Sequence, residues 1–180
     1  MKADNVPYIV APYEADAQMT FLEASGIVDG IMTEDSDLLV FGAKLVLFKF
    51  DTSGTVMAIS RADFGQIHSP TVSFVGWSDV QFREMAILSG CDYLPSIQGI
   101  GIITAAKLMR KHKTVEKVLQ FLRLEGAKRI PKGYLEALRI AELAFQYQRV
   151  YDPRTQKLVH LREPPKDMVW DETKDSYVGL

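Results

Sequence analysis

Apolar runs of strand length recur along the first part of the chain, and a polar or helix-forming segment follows each of them. Asp51-Thr52-Ser53-Gly54 is a turn signal between two such runs, so the second run is predicted to return as a hairpin partner. The pattern predicts a strand Val6–Val10, a helix Tyr13–Ser25, a strand Ile27–Met32, a helical turn Asp37–Phe41, a strand Leu45–Phe50 and a strand Thr55–Ile59. Strands that alternate with helices are typical of an α/β layer.

From Ser78 onward the apolar spacing becomes helical. Ser78-Asp79-Val80-Gln81 has the form of a capping box, and the apolar face that follows it continues to Gly90. Further helices are predicted over Ile103–His112, Thr114–Glu125 and Gly133–Val150, with an extended segment over Lys157–Leu161. Pro164-Pro165 opens a polar tail that we expect to be poorly ordered.

Composition adds few constraints. A chain of 180 residues with 47% apolar and 24% charged residues is long enough for a substantial core and is ordinary for a globular protein. We expect no membrane partner, because no apolar run reaches the length of a span, and no secretory signal. The single cysteine, Cys91, excludes an internal disulfide and fits a reducing compartment.

Charge is distributed unevenly, although the formal net charge is only −2. Residues 1–60 carry three basic and nine acidic side chains, whereas residues 107–139 carry ten basic and three acidic ones. An acidic half that can hold cations, joined to a basic half that can hold a polyanion, suits a protein that acts on phosphate chains. The alternative is that the basic helices are simply solvated.

Five carboxylates fall in three short groups at the edges of apolar segments. Hard divalent cations prefer oxygen ligands, and phosphodiester chemistry commonly uses two such cations. The alternative reading is that acids near a helix start cap the helix or favour its dipole. The candidate ligands are Glu14, Asp16, Asp35, Asp37 and Asp92.

Gly99-Ile100-Gly101 precedes a helix that is rich in basic residues. Two glycines let the backbone approach a phosphate closely, and the amides of the first helical turn point at the same place. A lone Gly-x-Gly is most often only a turn, but the residues that follow favour binding of a nucleic-acid backbone without base reading. The candidate DNA-binding residues are Gly99, Ile100, Gly101, Thr104, Lys107, Arg110 and Lys111.

Four motifs, in this order along the chain, resemble the internal region of the flap endonuclease (5′ nuclease) superfamily. They are Ala11-Pro12-Tyr13-Glu14-Ala15-Asp16-Ala17-Gln18, Thr33-Glu34-Asp35-Ser36-Asp37-Leu38-Leu39, Leu88-Ser89-Gly90-Cys91-Asp92-Tyr93-Leu94 and Gly99-Ile100-Gly101. Asp16 and Gly90-Cys91-Asp92 are similar to the exonuclease branch of that superfamily. The resemblance covers roughly residues 3–165.

The resemblance implies a nuclear DNA repair nuclease that cuts double-stranded DNA from a 5′ end and also cuts 5′ flaps, with mismatch-repair proteins as partners. It implies two Mg²⁺ or Mn²⁺ ions held by the five carboxylates, directly or through water. It also implies that a helix-two-turn-helix element over residues 78–112 holds the uncut duplex, with K⁺ or Na⁺ bound at Ser89, Ser96 and Ile100.

The resemblance further implies a fold and a division of the chain. The expected class is α/β, with a partial, parallel-rich sheet and flanking helices as an incomplete 5′ nuclease or PIN-like core, followed by an all-helical helix-two-turn-helix region. The expected parts are an internal nuclease segment (1–77), the DNA-binding helical region (78–151) and a C-terminal extended segment and tail (152–180).

Members of the superfamily have an N-terminal region of comparable length before this segment, so we expect that the chain lacks that half and has little or no activity alone. Two other hypotheses stay open. One is a non-catalytic module that grips duplex DNA, and the other is a phosphatase of the haloacid dehalogenase type with Asp35 as nucleophile. Trp77, Tyr93, Phe145 and Tyr147 are interpreted as core residues, and Cys91 as a small buried apolar residue.

Overall fold

The computed structural model describes residues 5–66, 72–126, 128–171 and 176–179. These residues form six α-helices, five strands and one 3₁₀ helix, and residues 176–178 are also helical. In chain order they are α1 (Ala15–Ala24), β1 (Ile31–Met32), α2 (Asp37–Phe41), β2 (Leu45–Phe48), β3 (Met57–Ser60), the 3₁₀ helix (Arg61–Gln66), α3 (Asp79–Ser89), α4 (Ile102–His112), α5 (Val115–Glu125), α6 (Tyr134–Tyr147), β4 (Arg149–Asp152) and β5 (Lys157–His160). The expected α/β class is confirmed.

The first three strands form one small sheet in the order β1-β2-β3. β1 pairs with β2 in parallel, with Ile31 opposite Val46, and β3 returns antiparallel to β2 as the hairpin that the turn signal predicted. The described sheet is therefore mixed rather than parallel-rich, because the Asp51–Thr55 turn is too short for a parallel crossover. β4 and β5 form a separate antiparallel hairpin.

The helices follow local capping signals closely. Ser78 and Gln81 form the predicted capping box at the start of α3, and the Thr114 side chain accepts a hydrogen bond from the Lys117 amide at the start of α5. One hydrophobic core joins α1 and α2 to α3–α6. Within it, the rings of Phe41 and Phe145 meet edge to face at 4.8 Å. The division of the chain into three parts stays a prediction.

The predicted strand Val6–Val10 is wrong. Residues 6–10 have no regular structure, and several of their apolar side chains are exposed, with Val10 at 76%. An extended segment becomes a strand only when a neighbouring strand supplies hydrogen bonds. Within the described residues β1 pairs only with β2, so this segment has no such neighbour.

Two other predicted elements differ from the observed ones by three residues or more at one end. The strand predicted from Ile27 begins only at Ile31, because the amides of Ile27 and Val28 bond to the Leu22 carbonyl and still belong to the end of α1. The helix predicted to reach Val150 ends at Tyr147, and residues 149–152 form β4 instead. Val150 is fully buried there, so pairing with β5 outweighs the helical spacing.

Parts of the tail pack against the body of the protein. The ring of Trp170 stacks on His160 at 5.4 Å, and Val178 is 2% exposed. The expectation of a poorly ordered tail is therefore wrong for these residues, while residues 172–175 and 180 lie outside the described part. Among the described helices, none has the length and apolar content that a membrane span requires.

Candidate metal centre and nucleic-acid interface

The five candidate ligands lie at the starts and ends of three helices. Glu14 and Asp16 are the N-cap and a first-turn residue of α1, and its N-cap side chain makes no capping hydrogen bond. Asp37 begins α2, whose N-cap Ser36 likewise makes none, and Asp92 follows α3. Capping therefore does not account for Glu14. Asp35 does have a local role, because its Oδ1 accepts the Asp37 amide at 2.8 Å.

The other four carboxylates all act electrostatically on Asp16. Burial, and then the negative charges of the other four candidates, Asp35, Glu14, Asp37 and Asp92, in that order of effect, together raise the pKa of Asp16 to about 6. The pKa of Asp37 is also raised, first by burial and then by Asp35, Asp92 and Glu14. Dissolved salt screens charges over about 8 Å at physiological ionic strength, so the carboxylates that act on Asp16 lie near it, and we call the five together the carboxylate cluster.

The side chains of the carboxylate cluster do not converge on one point. Within the described residues, no three His, Cys, Asp or Glu side chains are arranged closely enough to hold a metal ion as they stand. An all-oxygen set with excess negative charge fits Mg²⁺ or Mn²⁺, although the assignment of individual ligands stays a prediction.

Tyr93 connects the cluster to the helical core, which its interpretation as a core residue missed. Its hydroxyl donates a hydrogen bond to Glu14 Oε2 and accepts one from Gln148 Nε2 at 3.4 Å. Its ring packs edge to face on Phe145 at 5.0 Å. The hydrogen bond between Tyr93 and Glu14 joins residues 79 positions apart, so no local sequence signal could have revealed it.

The repulsion at Asp16 predicts an unusual pH dependence in the presence of chelator. A carboxyl whose pKa is raised on folding binds its proton more tightly in the folded state, so stability should increase as the pH falls through about 6. We expect thermal unfolding at pH 5.5 to occur about 2–4 °C above that at pH 8, or about 1 kcal/mol after allowance for solvent screening. Asp16→Asn should reduce this difference in unfolding temperature. An unchanged difference would show that Asp16 does not cause the pH dependence.

Loss of the Tyr93 hydroxyl should weaken cation binding without unfolding the protein. Tyr93→Phe removes the hydrogen bonds to Glu14 and from Gln148 and frees Glu14 to move, so we expect about fivefold weaker Mn²⁺ binding, which corresponds to about 1 kcal/mol. Water-proton relaxation measures that affinity. Tyr8→Phe, at an exposed tyrosine, is the matched control and should change nothing; an equal effect of both variants would rule out the proposed role.

The residues predicted to bind a monovalent ion lie at the connection between α3 and α4. Gly90 has a φ of +101°, and a Cβ at that position would lie 3.2 Å from the Ser96 nitrogen, so Ser96 packs directly against the residue after Ser89. The Ser89 hydroxyl donates to the Ala86 carbonyl at 2.7 Å. Ile100 is 1% exposed. Their role in binding K⁺ or Na⁺ stays a prediction.

The candidate DNA-binding residues lie at the start of α4 and along the helix to its last turn. Gly99 has a φ of +76°, and Gly101 is the N-cap, so no side chain caps the first amides of α4. Thr104, Lys107 and Lys111 are exposed. Ile100 is buried, so only its backbone could face a phosphate.

Two basic side chains change the predicted interface. The Arg110 guanidinium donates to the Ser73 carbonyl at 2.8 Å, which ties α4 to the 72–77 segment. Lys128 was not singled out from the sequence, yet its Nζ lies 3.5 Å from the Gly99 carbonyl. Lys128 therefore adds positive charge at the Gly-x-Gly turn, whereas Arg110 already has a partner.

Known proteins resemble this chain in sequence and in fold. The XPG I-region family model matches residues 5–92. Exodeoxyribonuclease 1 of Schizosaccharomyces pombe (strain 972 / ATCC 24843) is 38% identical over 179 residues, which are 99% of this chain and 30% of that protein. The chain thus spans less than a third of the length of that relative.

Solved structures share the fold. The catalytic core of Rad2 in complex with a DNA substrate superposes with a TM-score of 0.59 at 22% identity, over 97% of this chain and 50% of that chain. The eukaryotic junction-resolving enzyme GEN-1, determined with potassium, superposes with a TM-score of 0.56 at 26% identity, over 81% of this chain and 41% of that chain.

The chain therefore belongs to the 5′ nuclease superfamily, which includes the flap endonucleases. Within that superfamily its sequence is similar to exonuclease 1. This membership leaves the phosphatase hypothesis without support.

Proposed function

We propose that this chain carries the cation-binding and duplex-holding parts of a DNA nuclease that degrades double-stranded DNA from 5′ ends and cuts 5′ flaps during repair. The observation that carries the proposal is the carboxylate cluster, in which the other four carboxylates raise the pKa of Asp16. The exposed basic face of α4 supplies the second requirement, a surface for the DNA backbone.

The carboxylate cluster would hold two Mg²⁺ or Mn²⁺ ions. When bound, such ions supply charge neutralisation and activation of water at the attacked phosphodiester. The carboxylates stay ionised beside cations and act as ligands rather than proton donors. Tyr93 holds the Glu14 carboxylate in place, and Asp16 and Asp37 are half-buried.

The helical half would hold the uncut duplex through its phosphates. The uncapped amides of α4 and the Lys128 ammonium lie at the Gly99–Gly101 turn, while Lys107 and Lys111 extend the positive surface along the helix. A monovalent cation, K⁺ or Na⁺, at Ser89, Ser96 and Ile100 would rigidify this turn. The potassium in GEN-1, a member of the same fold, supports this part of the proposal.

The cleavage test uses end-labelled duplex DNA with a recessed 5′ end or a 5′ flap. We expect cleavage that requires Mg²⁺ or Mn²⁺, because the charges with the largest effect on Asp16 all belong to carboxylates, which repel a phosphodiester until cations neutralise them. Asp92→Asn should abolish cleavage and Asp29→Asn, outside the cluster, should not. Cleavage that survives EDTA or Asp92→Asn would overturn the proposal.

The open geometry of the carboxylate cluster favours a second candidate, a non-catalytic module that binds duplex DNA. Such a module would bind duplex with steep salt dependence, and neither chelator nor Asp35→Asn would change its affinity. Absence of cleavage together with that binding behaviour would favour this candidate. A nuclear location and contact with mismatch-repair proteins belong to the nuclease proposal, and imaging of a tagged chain tests the first of them.

A further inference from the structure

A cavity of about 540 Å³ lies between the sheet and the helical half. Its walls come from α2, β3, the 3₁₀ helix, the 72–77 segment and α3, and Ile102 at the start of α4 stands at its edge. The volume falls within the range of about 300–1,000 Å³ that small-molecule sites occupy. Most of the lining is apolar, with Met85 and Ile59 on opposing elements.

Three aromatic rings make one wall of this cavity. Phe64 lies 5.0 Å from Phe82 and 5.8 Å from Phe74, and Phe74 meets Phe82 edge to face at 5.3 Å. The Arg61 guanidinium lies 5.4 Å from the Phe64 and Phe82 ring centres and also pairs with Asp79 at 2.8 Å. Arg61 therefore holds these two rings in place and is itself already paired.

The opposite end of the cavity is polar and negative. Ser36, Asp37, Ser89, Gly90 and Cys91 line it. Asp35, whose Oδ1 accepts the Asp37 amide at 2.8 Å, places a second carboxylate next to Asp37. A ligand that reaches this end therefore meets a negative potential, while its body meets aromatic and aliphatic carbon.

We propose that this cavity binds a small molecule that joins an aromatic or aliphatic body to one ammonium group, with the body against Phe64, Phe74 and Phe82 and the ammonium group toward Asp37. Charge complementarity selects this ligand class over its neutral and anionic counterparts. The cavity itself supplies the affinity for the body, since burial of apolar surface does not depend on the head group.

Asp37 belongs both to the proposed amine site and to the carboxylate cluster, so binding of the amine and binding of a cation should affect each other. An ammonium group next to Asp37 occupies the space and the negative potential that a divalent cation needs, so each ligand should weaken the other by the same factor. This coupling rests on the proposed function, whereas binding of the amine in the presence of chelator does not.

Three matched probes test the proposal: 3-phenylpropylamine, 3-phenylpropanol and 3-phenylpropanoate. They are titrated into the chain in EDTA and followed by methyl NMR. The amine should bind with a Kd of about 1 mM and shift the methyl signals of Met85 and Ile59, the alcohol should bind about tenfold more weakly, and the acid more weakly still. Equal binding of all three probes, or shifts confined to other methyl groups, would overturn the proposal.

Two substitutions separate the body from the head group. Ala86→Phe fills the cavity and should abolish binding of the amine, whereas Ala58→Phe, at an exposed position on β3 outside the lining, should not. Asp37→Asn should bring the affinity of the amine down to that of the alcohol. If Ala86→Phe does not fold, Asp37→Asn decides alone, and an unchanged ratio of the two affinities would overturn the proposal.

A Mn²⁺ titration with and without the amine tests the coupling. Saturating amine should weaken Mn²⁺ binding about tenfold, by the same factor as saturating Mn²⁺ weakens the amine. Amine binding in EDTA with no effect on Mn²⁺ would refute the coupling while leaving the cavity site intact. Absence of Mn²⁺ binding with intact amine binding would instead count against the proposed function.

Discussion

Replacing Arg139 with Met is expected to lower the free energy of unfolding by about 3 kcal/mol. Arg139, on α6, donates to Glu84 Oε1 of α3 at 2.8 Å, to Glu142 Oε2 at 2.6 Å and to Glu116 of α5. It therefore joins three helices. Burial already raises the pKa of Glu84 despite this partner, so removal of the guanidinium would leave a nearly inaccessible carboxylate without its cation.

Urea unfolding at pH 7.5 measures the change, and thermal unfolding should occur about 6–12 °C lower. Glu84 has one other partner, the Val115 amide at 3.2 Å, and Glu142 retains Arg83 at 3.4 Å, so we place the loss at the lower end for buried ion pairs. The control is the same substitution in a Glu84→Gln background, where the decrease in the free energy of unfolding should be clearly smaller. Equal costs in the two backgrounds would show that burial of Glu84 is not the cause.

Replacing Lys107 and Lys111 together with Ala is expected to weaken duplex binding about 30-fold at low salt and to reduce the slope of log affinity against log salt by about 2. Both lysines are exposed on α4, so each can neutralise a phosphate. Lys111 also lies 4.8 Å from the Phe121 ring centre, a contact that contributes little at an exposed site. Fluorescence anisotropy with a labelled duplex at several salt concentrations gives both quantities.

Lys44→Ala with Lys49→Ala, in the acidic half, is the matched control and should leave the salt slope unchanged. Arg110→Ala serves as a comparison within α4: because Arg110 already bonds to Ser73, its loss should loosen the 72–77 segment more than it changes the slope. If the control pair reduces the slope as much as Lys107 and Lys111 do, the DNA does not bind along α4.

Local signals predicted the helices well. The capping box at Ser78 and the cap at Thr114 fix α3 and α5 to within a residue, because a cap acts over one turn of the chain. The first two residues of β4, Arg149 and Val150, were predicted as helix, because their sequence fits either state and only pairing with β5 decides. The segment 6–10 was predicted as strand from its apolar run, but the run alone cannot supply the hydrogen bonds of a strand.

The candidate site likewise has residues that the sequence predicts and contacts that it does not. Three of the four motifs contain the five candidate ligands, since a carboxylate is visible in the sequence wherever it lies in space. The partners of these groups could not be read in the same way. Tyr93 meets Glu14, Arg110 meets Ser73 and Lys128 meets Gly99 only after the helices pack, and these contacts span 79, 37 and 29 positions.

Terbium luminescence sensitised by tyrosine tests the central claim, that five carboxylates from three parts of the chain bind cations together. Tb³⁺ stands in for Mg²⁺, because both prefer oxygen ligands, and Tyr93 lies beside Glu14 as the sensitiser. We predict that Glu14→Gln and the Asn variants of Asp16, Asp35, Asp37 and Asp92 each weaken Tb³⁺ binding at least about tenfold, whereas Asp29→Asn does not. Unchanged binding in the Asp35 and Asp92 variants would contradict the account, because those two carboxylates would then take no part in a shared site.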